Sequence, residues 1–431
     1  MLMTFGNLGT SMAFALQSSN MGRIFQTLGA DPTKLGFFFI LPPLAGMVVQ
    51  PLVGYFSDRT WAPKLGGRRL PYLILGTIVA VIVMCLLPNS GSFGFKTTAA
   101  LWFGAVSILF MDLSSNMSMQ PFKMMISDMV NDEQKDQAWS WQTIWGNIGS
   151  VAADLFPFFL TFLGVANVAS AGELPDSVKW SFYIGAALLV ITSAFTIWKV
   201  DEYDPKTYAK YHGLDENEEV SGNIWEIVKN APKVFWTLGL VEFFSWAAFQ
   251  YLWTYGTGTV AQNIWHTTKA ASAAYQEAGN WFGVLSAVEV GVAIIWGLVL
   301  SRLNDKLRKP AYSFGLVVGA LGFWGLAVAP TKLWSFIAFI AIGMCWVSIN
   351  SIPFTILTNA LDGKHDGTYM GLFNSWICLP QICASIISFA LYPALGNYMP
   401  HMLTTSAILA LCGAVAVFVV KETSVEKGDI D

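Results

Sequence analysis

One stretch of the chain places two ionisable side chains on a segment that is otherwise largely apolar. In FMDLSSNMSMQPFK, residues 110–123, the carboxyl group of Asp112 is followed eleven residues later by the amine of Lys123. An α-helix turns by about 100° per residue, so eleven residues make almost three turns. One helix face therefore carries both ionisable groups and two of the residues between them, Asp112, Asn116, Met119 and Lys123.

The carboxyl group of Asp112 has the chemistry of a proton carrier. The segment is long enough to cross the hydrocarbon layer, and Asp112 falls near its middle. A charge at that depth costs roughly 2.5–3.5 kcal/mol, so the side chain must face a cavity or a partner. Because removal from water favours the protonated form of a carboxyl group, Asp112 could bind a proton from one side and release it to the other. The alternative is a permanent structural contact with a polar neighbour.

Other charged side chains also fall inside predicted spans. Lys123 is about 16 Å beyond Asp112 at a rise of ~1.5 Å per residue, too far for a direct contact, and could extend to the headgroups. Glu289 is nearly as deep in its span as Asp112, and Asp154 and Glu242 are also intramembrane. Depth alone does not separate these acids, so any of them could share proton handling. We take Lys123 and Glu289 as the candidate coupling residues.

The composition requires a membrane around these groups. Charged residues are 12% and hydrophobic residues 54% of the 431 residues, whereas roughly 25% of a soluble domain is charged. Apolar stretches of about twenty residues recur along the chain, and they lack the alternation of barrel strands. We predict twelve transmembrane helices, at residues 4–25, 35–55, 71–88, 98–122, 139–163, 179–199, 234–256, 279–301, 311–329, 333–357, 368–392 and 402–420.

The charge pattern divides the chain and orients it. Most of the 24 lysine and arginine residues fall in loops on the side of the two termini, which predicts cytoplasmic termini. A polar interval separates six spans from six. We predict an N-terminal six-helix bundle at 1–199, a cytoplasmic linker at 200–233, and a C-terminal six-helix bundle with a short tail at 234–431. Weak repetition between the halves, such as NMSMQPFKMMISD and NSIPFTILTN, predicts a substrate site between the bundles near the midplane.

The most specific short motif follows the second span. GYFSDR at 54–59 and GGRR at 66–69 resemble the loop signature of the major facilitator superfamily, with a longer insertion between the two parts. Asp58 could face the helix that begins near Gly367, and Arg59 could pair with Asp128. The alternative is a solvated positive loop. We predict a cytoplasmic gate formed by Asp58, Arg59, Arg68, Arg69 and Asp128.

Longer segments resemble the sucrose-transporter branch of the glycoside–pentoside–hexuronide:cation symporters, whose fold is that of the major facilitator superfamily. They are ALQSSNMGRIFQTLG, PPLAGMVVQPLVGYFSDR, GRRLPYLILG, MDLSSNMSMQPFKMMISDM, GNIG and GLFNSWICLPQICASIISF. The resemblance implies proton-coupled uptake of sucrose, maltose or related glucosides. It places the family's proton-binding aspartate on Asp112 and its helix 1 glutamine on Gln17. The family's helix 4 arginine falls on Lys123, which lacks the planar fork that binds a carboxylate at two points.

A disaccharide needs many hydrogen-bonding partners, and amide side chains on the spans can supply them. Any one of these amides can instead serve as a hydrogen bond between helices. The candidates are Gln17, Asn20, Asn116, Gln120, Asn147, Gln250, Asn350, Asn374 and Gln381. Most of the 18 tryptophans suit interfacial belts, but five lie on spans that could face the sugar, Trp141, Trp145, Trp246, Trp253 and Trp376.

These patterns together predict an all-α membrane protein that imports a disaccharide or related α-glucoside with a proton, by alternating access. The alternatives are a passive facilitator of the same sugar, in which Asp112 is structural, and a sugar sensor that does not transport. Helix 2 carries no paired acids of the kind that sodium-coupled relatives use, which favours a proton as the coupling ion.

The remaining features define the expected partners. No nucleotide-binding loop, metalloprotease motif or nucleophile elbow occurs, so we predict neither an enzyme nor a cofactor or metal site. The net charge of −4 argues against nucleic acid as a partner. We expect a monomer in the plasma membrane, with the sugar, the proton and membrane lipid as its partners.

Overall fold

The computed structural model describes residues 2–130, 132–204, 206–207, 228–303, 305–360 and 366–421. The side chains of residues 58, 59, 127, 132–136, 305 and 366–368 lie outside this description. In the described ranges the regular structure is helical. The α-helices are α1 Asn7–Thr27, α2 Leu35–Arg59, α3 Leu70–Leu86, α4 Thr97–Met129, α5 Asp132–Phe162, α6 Asp176–Lys199, α7 Lys233–Ile264, α8 Ala273–Leu300, α9 Asp305–Ala327, α10 Lys332–Asn359, α11 Asp366–Phe373, α12 Ser375–Ala394 and α13 Met399–Ala416.

Each predicted span corresponds to helical structure, with ends that differ by several residues. Nine stretches of the described residues are both long and apolar enough to cross a membrane. The helices α1, α5 and α7 are also long enough. They are less apolar because they carry buried polar side chains, such as Gln17 on α1, Asp154 on α5 and Glu242 on α7. Such helices need other helices around them rather than lipid.

The eleventh span differs from the prediction of one continuous helix at 368–392. It consists of α11 and α12, which meet at Asn374. The backbone of Asn374 stays in the right-handed helical region, with φ −59° and ψ −23°. Its carbonyl oxygen accepts hydrogen bonds from the N–H groups of Ile377 and Cys378. The interruption is therefore local, and the two helices together supply the length of one span.

The helices group into two compact units, each described by itself. The first comprises residues 1–30, 44–220 and 269–287, and the second comprises 31–43, 221–268 and 288–431. In the first unit, α1 packs against α5 and α6, and α3 packs against α4 and α6. In the second, α7 packs against α12 and α13, and α9 packs against α10 and α13. Both α2 and α8 are divided between the units, and the bundle boundaries drawn from the sequence stay a prediction.

Glycines let α1 lie in close contact with its neighbours in the first unit. A Cβ atom at Gly149 of α5 would overlap the carbonyl oxygen of Leu8 on α1. A Cβ atom at Gly9 of α1 would overlap the side chain of Thr192 on α6. Small residues permit this kind of approach between helix backbones in membranes. Polar side chains on α1 are consequently buried.

A carboxylate caps the start of α3. The backbone N–H groups of Arg68, Arg69 and Leu70 donate to the carboxylate oxygens of Glu202 over 2.7–2.9 Å. These N–H groups belong to the positive end of the helix, where an anion is favoured. Gly67 has φ +140°, and a Cβ atom there would lie 2.6 Å from the Cβ of Glu202. The cap ties the segment that follows α6 to the start of α3.

We expect Glu202→Ala to lower the free energy of unfolding by about 1–2 kcal/mol, because three backbone N–H groups lose their acceptor. Glu202→Gln should give an intermediate loss, because an amide keeps one acceptor oxygen. Thermal unfolding of the purified protein in detergent measures both effects. Asp201→Ala is the matched control, since Asp201 is an exposed acid next to the cap. Equal unfolding temperatures for Glu202→Ala and this control would contradict the capping role.

Candidate functional site

The carboxyl group of Asp112 is buried against α1. Its exposed fraction is 1%, and Nε2 of Gln17 donates a hydrogen bond to its Oδ2 over 2.6 Å. The second polar atom of that amide, Oε1 of Gln17, is buried and finds no hydrogen-bond donor among the described residues. An amide has both donor and acceptor atoms, so Gln17 can donate to a carboxylate or, after rotation, accept from a carboxylic acid. Gln17 can therefore form a hydrogen bond with Asp112 whether the carboxyl group is ionised or protonated.

A row of three amides lies next to Asp112, between α2 and α4. The side chain of Asn116 donates to the backbone carbonyl of Asp112 over 2.9 Å. Gln50 of α2 donates to Oδ1 of Asn116 over 2.7 Å, and Gln120 donates to Oε1 of Gln50 over 2.9 Å. Gln50 and Gln120 are partly exposed. Because amides donate and accept, this amide row can bind the hydroxyl groups of a ligand.

The other predicted residues of the first unit surround this region less directly. Lys123 is partly exposed and lies one turn beyond Gln120 on α4. Asn147 on α5 is partly exposed, whereas Asn20 on α1 is buried and donates to the carbonyl of Leu16 on its own helix. The amide of Asn20 is thus engaged within α1.

Asp154 is a second buried acid of the first unit. Its exposed fraction is 5%, and its carboxyl group is within hydrogen-bonding reach of Ser19 on α1. Gly283 of α8 packs so closely that a Cβ atom there would overlap the carbonyl oxygen of Asp154. This acid contacts α1 two residues beyond Gln17, and it is not part of the Asp112–Gln17 pair.

In the second unit, Glu242 joins α7 to α9. The side chain is fully buried, and each of its oxygens accepts one hydrogen bond. The donors are Nε1 of Trp246 and the hydroxyl group of Tyr312, the latter over 2.6 Å. An indole N–H can only donate. The arrangement therefore holds Glu242 as an acceptor between two helices.

Gln250, a predicted sugar ligand, also has a structural partner set in the second unit. Its Nε2 donates to the carbonyl oxygen of Phe39 over 2.9 Å and to the hydroxyl group of Ser385 over 2.7 Å. The residue is 2% exposed. Its amide nitrogen thus connects α7 to α2 and α12.

Most of the remaining candidates of the second unit make contacts along their own helices. The side-chain amides of Asn350 and Gln381 donate to carbonyl groups four residues earlier, and that of Asn374 donates to Sγ of Cys378. Glu289 is 8% exposed on α8. No contact among these residues defines a ligand site in the described ranges.

Aromatic rings cluster on α7 and α10 in the second unit. The ring centroid of Trp346 lies 5.5 Å from that of Trp246 and 5.9 Å from that of Trp253. Trp246 is held by Glu242, whereas Trp253 and Trp346 are partly exposed. In the first unit, Trp141 and Trp145 stack with centroids 6.0 Å apart. These surfaces are of the kind that the apolar face of a sugar ring contacts.

The predicted cytoplasmic gate is described only in part. Nε of Arg69 pairs with Oδ2 of Asp128 over 2.9 Å, and Nη1 of Arg69 donates to the hydroxyl group of Ser57 over 2.5 Å. Arg69 is 3% exposed. The side chains of Asp58 and Arg59 lie outside the described residues. The pairing of Arg59 with Asp128 therefore stays a prediction, and Arg69 is a partner of Asp128 that the structure describes.

Gln50 and Glu202 are two of the contact residues that were not predicted from the sequence. Gln50 is the amide in the apolar sequence MVVQPLVG of α2, and that isolation is a signal that could have identified it. Glu202 stands in a charged run directly after a span. Nothing in that run distinguishes it from its acidic neighbours, because the capping contact depends on the position of α3.

The described residues supply twelve helical spans, several of which carry buried polar side chains, and this pattern is typical of a membrane transporter rather than an enzyme. The model of the Major Facilitator Superfamily matches residues 3–385. The chain therefore belongs to the Major Facilitator Superfamily. The fold class predicted from the sequence is confirmed.

Curated relatives match almost the whole chain. It is 24% identical over 479 residues to the sucrose transport protein SUT5 of Oryza sativa subsp. indica, covering 96% of this chain and 86% of the relative. It is 22% identical over 459 residues to the sucrose transport protein SUC4 of Arabidopsis thaliana, covering 97% and 89%.

Solved transporter structures share the fold at low sequence identity. A D-xylose–proton symporter has a TM-score of 0.70 at 12% identity, covering 98% of each chain. The nucleoside transporter NupG has a TM-score of 0.67 at 16% identity, covering 97% of each chain. These likenesses show the fold alone.

A double-mutant cycle tests the contact between Glu242 and Tyr312. We expect Tyr312→Phe to lower the free energy of unfolding by about 0.5–1.5 kcal/mol, the range for a hydrogen bond between neutral groups, because an ionised carboxyl group buried among neutral partners is costly. In a Glu242→Ala background the same substitution should cost much less, because the acceptor is already absent. Unfolding in detergent gives all four values. An equal cost of Tyr312→Phe in both backgrounds would contradict a stabilising contact between Glu242 and Tyr312.

Proposed function

We propose that the protein is a proton-coupled symporter that imports sucrose or a related α-glucoside by alternating access. In this proposal it lies in the plasma membrane with both termini in the cytoplasm. The observation that carries the proposal is the buried pair of Asp112 and Gln17, which lies directly beside the amide row. The sucrose transport proteins that match almost the whole chain support the choice of sugar.

The proton site follows from the energetics of burial. Asp112 is 1% exposed, and its carboxyl group accepts a hydrogen bond from the neutral amide of Gln17. Burial of an ionised carboxyl group without a cation is costly. A change of conformation that carries Asp112 through its buried state therefore requires a bound proton. Gln17 keeps a hydrogen bond to the group in both protonation states by rotating its amide.

The sugar site follows from the amide row. Asn116, Gln50 and Gln120 form a chain of amides that starts at the backbone of Asp112. A sugar hydroxyl group that joins this chain contacts the same helix that carries the proton site. Movement of α4 then affects both sites, which is the physical basis that we propose for coupling.

The first test is the replacement of Asp112 by its neutral isostere. We expect Asp112→Asn to abolish accumulation of labelled sucrose against its gradient in proteoliposomes with an imposed proton gradient, because the side chain can no longer release a proton. Exchange of internal for external sugar should persist. Wild-type accumulation by this variant would contradict the proton site and favour a passive facilitator in which Asp112 is structural.

Matched controls separate Asp112 from the other intramembrane acids. Asp154→Asn and Glu242→Gln make the same chemical change elsewhere, and both proteins should still accumulate sugar. Loss of accumulation in either control, with exchange retained, would place part of the proton handling on that acid.

The second test addresses the amide row. We expect Gln50→Leu to raise the KM for sucrose about tenfold, because the central amide of the row can no longer bind a sugar hydroxyl group, a contact worth roughly 0.5–1.5 kcal/mol, and no longer orients Asn116 and Gln120. Initial rates of labelled uptake give the value. Gln381→Leu is the matched control, since Gln381 donates to its own helix. A KM that rises as much in this control as in Gln50→Leu would contradict the assignment of the sugar site to the amide row.

A further inference from the structure

Arg23 of α1 is fully buried and is surrounded by amide oxygens. Its exposed fraction is 0%. Nε donates to Oε1 of Gln276 over 2.6 Å, Nη1 donates to Oδ1 of Asn280 over 2.7 Å, and Nη2 donates to Oδ1 of Asn167 over 2.7 Å. All of these residues belong to the first unit. The guanidinium group thus joins α1, the connection after α5, and α8.

The α8 amides are held with their oxygens toward Arg23. Nε2 of Gln276 donates to the hydroxyl group of Thr27 over 2.9 Å and to the carbonyl oxygen of Ala270 over 2.7 Å. Nδ2 of Asn280 donates to the hydroxyl group of Thr161 over 2.8 Å. Rotation of either amide would lose these bonds and turn a donor toward a cation. The acceptors are therefore pre-arranged for a guanidinium group.

Glycines on the same face of α8 allow the contact. A Cβ atom at Gly279 would lie 2.7 Å from Cδ of Arg23, and one at Gly283 would overlap the carbonyl oxygen of Asp154. Two small residues four apart let a helix backbone approach its neighbour. We use the name α8 seam for the contact formed by Arg23, Thr27, Asp154, Thr161 and Asn167 with Gln276, Gly279, Asn280 and Gly283.

The α8 seam involves only part of α8. Residues 269–287 belong to the first unit, whereas α8 from residue 288 onward belongs to the second unit. By sequence order α8 is one of the last six spans. Arg23 is in the last two turns of α1, at the end opposite the N terminus. If the N terminus is cytoplasmic, as proposed above, the seam lies toward the outside.

We propose that Arg23 is a positioning residue for transport: it holds the first half of α8 against α1 and α5, and its release from Gln276 and Asn280 is required for the substrate path to open to the outside. This inference rests on the proposed transport function and orientation. It adds a residue and a step that the proton and sugar sites do not contain.

The chemistry of the partners makes the contact reversible. An arginine stays charged, and its burial carries a large desolvation cost. Within the described part of the chain its hydrogen-bond partners are neutral amides, so no ion pair offsets that cost. Three charge-assisted hydrogen bonds favour the closed contact, and hydration of the guanidinium group favours the open one. A carboxylate in place of one amide would shift the balance toward closure.

The test uses two substitutions with opposite expected effects and a reporter that needs no sugar. Ala278 of α8 is fully buried beside the seam, so Ala278→Cys introduces a thiol that a water-soluble maleimide reaches only when the seam opens. Labelling is followed by intact mass on purified protein in detergent, against the same protein without the added cysteine. We expect the thiol introduced by Ala278→Cys to be labelled at least tenfold faster when Arg23→Gln is added. When Asn280→Asp is added instead, labelling should be at least threefold slower.

A conservative variant and transport rates separate positioning from general stability. Arg23→Lys keeps the charge but not the fork, so its labelling rate should lie between those of Arg23→Gln and the parent protein. Both Arg23→Gln and Asn280→Asp should lower the turnover of sugar uptake, since one weakens closure and the other weakens opening. A merely destabilising change would speed labelling in both.

Defined results overturn the proposal. Labelling of Arg23→Gln at the parent rate, or faster labelling of Asn280→Asp, would contradict it. If Arg23→Gln does not fold, the labelling rate of Asn280→Asp decides alone, because a new ion pair must slow it. The labelling uses neither sugar nor a proton gradient. If the labelling rates change as expected but the protein takes up no sucrose, the proposed function is wrong and the role of the α8 seam stands.

Discussion

A carboxyl group in the interior of a membrane protein has no water to stabilise its charge. The proposed transport mechanism depends on that constraint, as it acts on Asp112. Its contact from Gln17 is a hydrogen bond from a neutral group, which orients the carboxyl group without neutralising it. The protonation state of Asp112 then decides which arrangements of the surrounding helices have a low free energy. Coupling follows from this energetic link and needs no direct contact between proton and sugar.

The helix α1 is the common element of the proposed mechanism. Its N-terminal half packs through Gly9 against α6, its middle presents Gln17 to Asp112, and its last turns present Arg23 to α8. The polar contacts of one helix thus reach both the proton site and the α8 seam. A displacement of α1 would alter both places together. The buried polar residues of α1 explain why it is less apolar than most of the other spans.

Features that depend on residues close together in the sequence could be predicted, whereas features that depend on distant residues could not. Helix positions follow from local apolar length, so the spans were predicted correctly except for the joint at Asn374. The depth of Asp112 in its span identified it as unusual, and family resemblance added Gln17. Both rest on information within a single helix.

Most contacts between helices could not be predicted from the sequence. The partners of Arg23 are 144, 253 and 257 residues away in sequence, and no spacing rule links an arginine to distant amides. Gln50 was missed for the same reason, since its role depends on which face of α2 meets α4. Gln250 was predicted as a sugar ligand, yet its amide nitrogen holds α2 and α12, because a buried amide serves either purpose.

Proton coupling is tested most directly by the electrical current that sucrose evokes in proteoliposomes of the unaltered protein, without any imposed ion gradient and without sodium. Proton symport predicts a transient current with the sign of positive charge moving together with the sugar, in proportion to the sugar taken up. Sugar uptake at a normal rate with no accompanying charge movement would contradict it.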